Sequence, residues 1–145
     1  MTSALVVRRS IRASPERIFD AWTQPRHLKQ WWGPESVACI DAEVDLRVGG
    51  RYRIANQFPD GTILWISGMF EAIERPYKLV YTWRVGDAEA PAERVTVTFE
   101  ARGEETEVVV AHERIPTEAA RVMHERGWVG CLDGLVDYLG AVPFR

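Results

Sequence analysis

The chain has 145 residues, 46% of them hydrophobic and 27% charged, which suits one domain over residues 1–145 whose core needs no disulfide or metal staple. Eighteen Lys and Arg against 21 Asp and Glu leave a net charge of −3, without the basic excess of a nucleic-acid module, so no nucleic-acid partner is expected. No apolar run approaches the roughly 20 residues of a membrane span, so no stable membrane insertion is expected. The opening residues lack a secretory pattern, and a cytoplasmic protein is the expectation. Cys39 and Cys131 have no CxxC partner, and His27, His112 and His124 show no zinc spacing, so the thiols read as buried and free, with no metal and no cofactor.

Leu5 to Ile11 is β-branched and predicts a strand. Ser14-Pro15-Glu16 then combines an N-cap, a proline at the first helical position and an acid in the first turn. Ile18, Phe19 and Trp22 share one face of the short helix that follows. Pro25 opens a second short helix carrying Leu28, Trp31 and Trp32, and Gly33-Pro34 stops it. From Ser36 onward the period is two. Val37–Leu46 sets Ala38, Ile40, Ala42, Val44 and Leu46 against an acidic face of Asp41, Glu43 and Asp45. Arg51–Phe58 follows the Gly49-Gly50 turn, and Pro59-Asp60-Gly61 is a hairpin signal leading into Thr62–Ile73.

Arg75-Pro76 breaks that strand, and Lys78–Arg84 places Leu79, Tyr81 and Trp83 on one face. Gly86–Pro91 reads as a loop, Arg94–Ala101 as a strand with Val95, Val97 and Phe99 inward, and Glu107–Glu113 as the last strand after a turn at Gly103-Glu104-Glu105. Thr117 is the expected N-cap of a final helix of about twenty residues whose apolar stripe begins at Val122 and Met123 and runs through Trp128, Cys131, Leu132, Leu135, Val136 and Leu139. Gly127, Gly130 and Gly134 inside it each cost about 1 kcal/mol relative to alanine, which asks for close backbone approach or bending.

This order predicts an α+β fold. A curved antiparallel sheet of about six to seven strands wraps around the long C-terminal helix, and two short helices after the first strand plug one end. Such curling leaves space between sheet and helix. The expected inward residues are Tyr52, Ile54 and Asn56, then Trp65, Tyr81, Trp83 and Phe99, with Met123 and Trp128 opposite on the helix. Core filling is the simpler account of these aromatics; a ligand cavity is the functional one. His112 shares a strand face with Val108 and Val110 and points inward. It is the one candidate for moving protons, and His124 reads as a surface or rim group.

Several segments are familiar. Ser14-Pro15-Glu16-Arg17-Ile18-Phe19-Asp20-Ala21-Trp22-Thr23 and Leu28-Lys29-Gln30-Trp31-Trp32-Gly33-Pro34 resemble the opening of the family related to the C-terminal domain of the Hsp90 ATPase activator Aha1. Asp45-Leu46-Arg47-Val48-Gly49-Gly50-Arg51-Tyr52, Gly68-Met69-Phe70-Glu71, Leu79-Val80-Tyr81-Thr82-Trp83 and Gly127-Trp128 continue the resemblance in order. It implies the helix-grip fold shared with START lipid-transfer domains, Bet v 1-like allergens and polyketide cyclases. It also brings an Hsp90 contact into view as a partner, although the eukaryotic activator has a further N-terminal domain for which this length leaves no room.

Three functions follow as expectations. The first is a binding protein for a hydrophobic or aromatic small molecule. The second is a cyclase- or hydrolase-like enzyme using the same cup, for which no GxSxG, HExxH, GxGxxG or Walker pattern supplies a nucleophile, metal or phosphate site. The third is a chaperone-related or regulatory interaction module. A homodimer through the sheet or the Trp-rich helices is compatible with each.

Overall fold

Ser14 caps the first helix as its position in the sequence predicts, its hydroxyl accepting from the Arg17 N–H at 3.2 Å. In the computed structural model, which describes residues 4–33, 36–86 and 91–141, that helix is α1 (Pro15–Thr23) and follows β1 (Leu5–Ile11). Ile18, Phe19 and Trp22 form its buried face. Gln24 ends α1 and begins α2 (Pro25–Trp31), with Pro25 at the first position, where a missing N–H costs nothing. The Trp31 indole N–H donates to the Ala21 carbonyl at 2.8 Å and fixes the two short helices against each other. Residues 1–3, Pro34 of the expected helix stop, and 87–90 of the expected Gly86–Pro91 loop lie outside the described residues.

Six further strands come in sequence: β2 (Ala38–Val44), β3 (Arg51–Gln57), β4 (Ile63–Glu74), β5 (Lys78–Val85), β6 (Glu93–Arg102) and β7 (Glu105–Glu113). Their bounds agree with the expected ones to within two residues. The sheet runs β1-β7-β6-β5-β4-β3-β2 with every pairing antiparallel. A bulge between Phe70 and Ala72 interrupts β4, the longest strand, where a bulge sharpens bend and twist. The sheet curls into a half-barrel around α3 (Glu118–Ala141).

Two expectations about faces are overturned. In β2 the register shifts between Cys39 and Asp41, so Ile40 is the extra residue; Cys39 is buried and Ala38 and Ile40 are exposed. One inserted residue reverses the alternation ahead of it, which strict period-two counting cannot see. Trp65 also faces away from the interior. It pairs with Ala55, in phase with Arg53 and Ser67, while Ile54, Ile66 and Asn56 point in. The Arg53 guanidinium lies over its ring, 4.4 Å from the centroid, so the indole is covered on the outer face by a cation.

In α3 the Thr117 hydroxyl accepts from the Ala120 N–H at 3.1 Å, the expected cap. Trp128, Cys131, Leu132, Leu135 and Leu139 are buried against Val95, Val97, Phe99, Val108 and Val110 of the sheet. The stripe does not extend to the helix start: Val122 is 45% and Met123 73% exposed. There the first turns of α3 stand off the sheet. At the other end, an added Cβ on Gly134 would sit 2.7 Å from the Trp31 carbonyl oxygen, so glycine allows α3 to approach α2.

Candidate functional site

The gap between the standing-off half of α3 and strands β3 to β6 is a cavity of about 370 Å³, within the range of small-molecule sites. Asn56, Leu64, Ile66, Trp83 and Val85 form its sheet wall, with Trp32 from the end of α2. Met123, His124, Trp128 and Cys131 form its helix wall, and Glu93 stands at the start of β6. Two larger concavities, of about 780 and 650 Å³, lie on the outer face of the sheet and the outer side of α3. Exposed charged side chains rim both, which marks them as surface grooves.

Three indoles shape the interior end of the cavity. Ring centroids of Trp32 and Trp83 are 6.2 Å apart, those of Trp83 and Trp128 5.4 Å, and those of Trp32 and Trp128 5.6 Å. Trp83 is turned by 47° from Trp32 and by 43° from Trp128, so the three make a bent wall rather than a stack. Two buried polar atoms of this lining, the Trp83 indole nitrogen and Asn56 Oδ1, have no hydrogen-bond partner among the described residues.

A charged network closes the other side. The Trp128 indole N–H donates to His112 Nδ1 at 3.0 Å. Indole N–H only donates, so His112 Nδ1 must accept, and the neutral ring carries its proton on Nε2. That N–H reaches Glu93 Oε1 at 2.8 Å, and His124 Nε2 reaches the same oxygen at 3.0 Å. The two imidazoles stack with centroids 4.5 Å apart. Burial works against a charge on Glu93, yet the two imidazole N–H bonds outweigh it and bring the carboxyl down to about 2. Burial holds His112 below its ordinary value, with the Glu93 hydrogen bond opposing it.

Glu93, His112 and His124 bring three ligand atoms within 4.8 Å of one another, but the donor set does not suit a metal ion. Coordination by His112 Nε2 would move its proton to Nδ1, against the Trp128 N–H, or require an imidazolate. The thiols are not poised as nucleophiles either: burial raises Cys39 to about 11 and Cys131 to about 12. Burial also pushes Tyr52 and Tyr81 well up, keeping both phenols protonated.

The family model described as "Activator of Hsp90 ATPase homolog 1-like protein" matches residues 12–140. The chain belongs to this family. A solved Chromobacterium violaceum protein is 27% identical, with a TM-score of 0.86 over 94% of this chain and 96% of that one. An AHSA1 protein from Silicibacter pomeroyi shares the helix-grip fold at 23% identity, TM-score 0.84, over 95% and 98% of the two chains. An Hsp90 activator from Plasmodium falciparum is 26% identical, with a TM-score of 0.77 over 96% and 97%. No curated protein sequence matches the chain.

Within this AHSA1-like chain the residues singled out from sequence separate into distinct places. Asn56, Trp83, Met123 and Trp128 line the cavity. Tyr52, Ile54 and Tyr81 line a neighbouring crevice of only about 20 Å³, which shares Trp32 and Trp83 with it. Phe99 is fully buried between Phe19 and Trp22, with ring centroids 6.0 and 5.7 Å away, and is core. His112 is buried behind the lining with both nitrogens engaged. Trp65 is outside.

Glu93 was not singled out and His124 was expected as a surface or rim group, though both left a signal. Glu93 is in phase with Val95, Val97 and Phe99 and pairs directly with Trp83 across β5 and β6, so it is an acid on an apolar face. His124 lies one turn before Trp128, and positions four apart share a helix face.

Proposed function

We propose that this AHSA1-like protein binds a mainly apolar, aromatic-compatible small molecule in the cavity between the sheet and the first half of α3, acting in the cytoplasm. The observation that carries this reading is the cavity itself: about 370 Å³ lined by three indoles and by aliphatic side chains, beside a crevice of only about 20 Å³. Apolar burial supplies the affinity, at roughly 25 cal/mol per Å² before the cost of association is subtracted. His112 and both tyrosine hydroxyls are held in hydrogen bonds, which favours binding over proton transfer.

The neutral probe 2-naphthalenemethanol tests it by calorimetry. Saturable binding with Kd below about 1 mM is expected. Leu64→Trp, which fills the cavity from its partly buried wall, should weaken binding about tenfold while the unfolding midpoint is kept. Absence of saturation up to the solubility limit overturns the reading. A second reading, contact with an Hsp90-type chaperone, draws on family membership and on the Plasmodium falciparum activator. Stimulated ATPase turnover of a purified Hsp90 by this chain, without probe binding, would put it first.

A further inference from the structure

We propose that the cavity selects an organic cation, an amine or quaternary ammonium on an apolar aromatic body, held between the Glu93 carboxylate and the Trp32, Trp83 and Trp128 indoles, and that it rejects carboxylates. This rests on the ligand-binding reading above and deepens it. Among the described residues that line the cavity, Glu93 is the one carboxylate, and neither lysine nor arginine is among them. The remaining titratable groups of the lining are His124, which donates to Glu93, and Cys131, whose thiol stays protonated.

The carboxylate is built to stay charged in an apolar setting. Burying it costs free energy unless donors face it, and two imidazole N–H groups do so. Both bonds end on Oε1, leaving Oε2 without a partner among the described residues. His112 cannot neutralise Glu93 by taking a second proton, because its Nδ1 is occupied by the Trp128 N–H. An open carboxylate oxygen in an aromatic-lined cavity favours a positive ligand and repels a negative one.

The indoles add to the same preference. Trp83 is the direct cross-strand neighbour of Glu93, which places their Cβ atoms about 5 Å apart. Trp128 joins the same network through His112. A cation is drawn to an indole face within about 6 Å of the ring centroid, and the three bent indoles, with centroids 5.4 to 6.2 Å apart, border one space. A carboxylate beside several indoles is what a cationic group on an apolar body needs; a fatty-acid headgroup would meet Glu93 with neither lysine nor arginine among the described lining residues.

Three probes with one skeleton test this at pH 7: 2-naphthylmethylamine, 2-naphthalenemethanol and 2-naphthoate. On the unmodified protein the amine should bind about tenfold tighter than the alcohol, and the carboxylate about tenfold weaker than the alcohol or not at all. Glu93→Gln, whose carbonyl still accepts an imidazole N–H, should bring the amine-to-alcohol affinity ratio down to about one. If the alcohol binds and the amine binds no better, this inference is overturned while the ligand-binding reading stands. If none of the three binds, both fail. The ranking on the unmodified protein decides the matter should the variant not fold.

Discussion

The two ends of the grip are made of the same material and packed to different purposes. At the closed end, Trp22, Tyr52, Phe70 and Tyr81 border a crevice of only about 20 Å³ with Phe19, Trp31 and Phe99 packed in the core, and their polar atoms are paired: Trp22 N–H to the Tyr81 hydroxyl at 3.2 Å, Trp31 N–H to Ala21 O at 2.8 Å, and Tyr52 hydroxyl to Thr82 O at 2.7 Å. At the open end, Trp32, Trp83 and Trp128 border about 370 Å³, and the Trp83 N–H and Asn56 Oδ1 have no partner among the described residues. Aromatic content therefore does not distinguish core from cavity. Hydrogen-bond satisfaction does, since an interior finished for stability pairs its polar atoms.

Helix α3 runs through both ends, and its glycines give the largest expected contrast. An added Cβ at Gly134 would press within 2.7 Å of the Trp31 carbonyl oxygen, which belongs to backbone and cannot rotate away. Gly134→Ala should cost about 2–3 kcal/mol by forcing α2 and α3 apart. At Gly127, on the cavity lining, an added Cβ meets nothing within 4 Å. Gly127→Ala should instead gain about 1 kcal/mol from helix propensity alone. Urea denaturation of the two variants measures both; equal losses would mean that the first half of α3 is packed like the second.

A smaller contrast comes from deleting one polar group at each end. Tyr81→Phe removes the acceptor of a buried indole and should cost about 1–2 kcal/mol, because the Trp22 N–H is left unpaired. Asn56→Leu removes an oxygen that already lacks a partner, so the same experiment should give a change within about 0.5 kcal/mol of zero, or a gain. A loss at Asn56 as large as that at Tyr81 would mean its amide is paired in solution.

The sequence carried the fold almost entirely. Ser14-Pro15-Glu16, Pro25 and Thr117 are local signals whose physics is complete within four residues, and each marks a helix start as observed. The inward phases of β5, β6 and β7 were legible because uninterrupted strands alternate strictly. What was not legible depends on neighbours in space. The extra residue at Ile40 is a property of the β2–β3 pairing, and Trp65 satisfies a hydrophobic count on either face until Arg53 is found above it. The site was half legible for the same reason. Trp83 and Trp128 announce themselves by size, whereas Glu93 gains meaning only when His112 and His124, distant in sequence, converge on one oxygen.

The two ends also divide the pH dependence of stability, the smallest of the expected effects. In the unfolded chain the His112 ring takes a proton as pH falls below about 6.5, whereas the buried ring resists it, so stability begins to fall there. Glu93 adds a second loss of the same sign: the unfolded carboxyl binds its proton near 4.5 and the folded one only near 2, so stability drains away between those values. The closed end acts at the opposite limit. Burial raises Tyr52 and Tyr81, so above pH 10 the unfolded phenols ionise while the folded ones hold their protons, and stability falls as pH rises. Thermal midpoints from pH 3 to 11 should thus show an acid limb set by the Glu93 network and an alkaline limb that the buried phenols share with Cys39 and Cys131, which burial raises in the same sense. Glu93→Gln should flatten the acid limb below pH 4.5 and leave the alkaline limb in place, and Tyr81→Phe should reduce the alkaline limb and leave the acid one. A Glu93→Gln profile parallel to that of the unmodified protein below pH 4.5 would show that the carboxylate is not held by its two imidazoles, and the division between the ends would lose its electrostatic half.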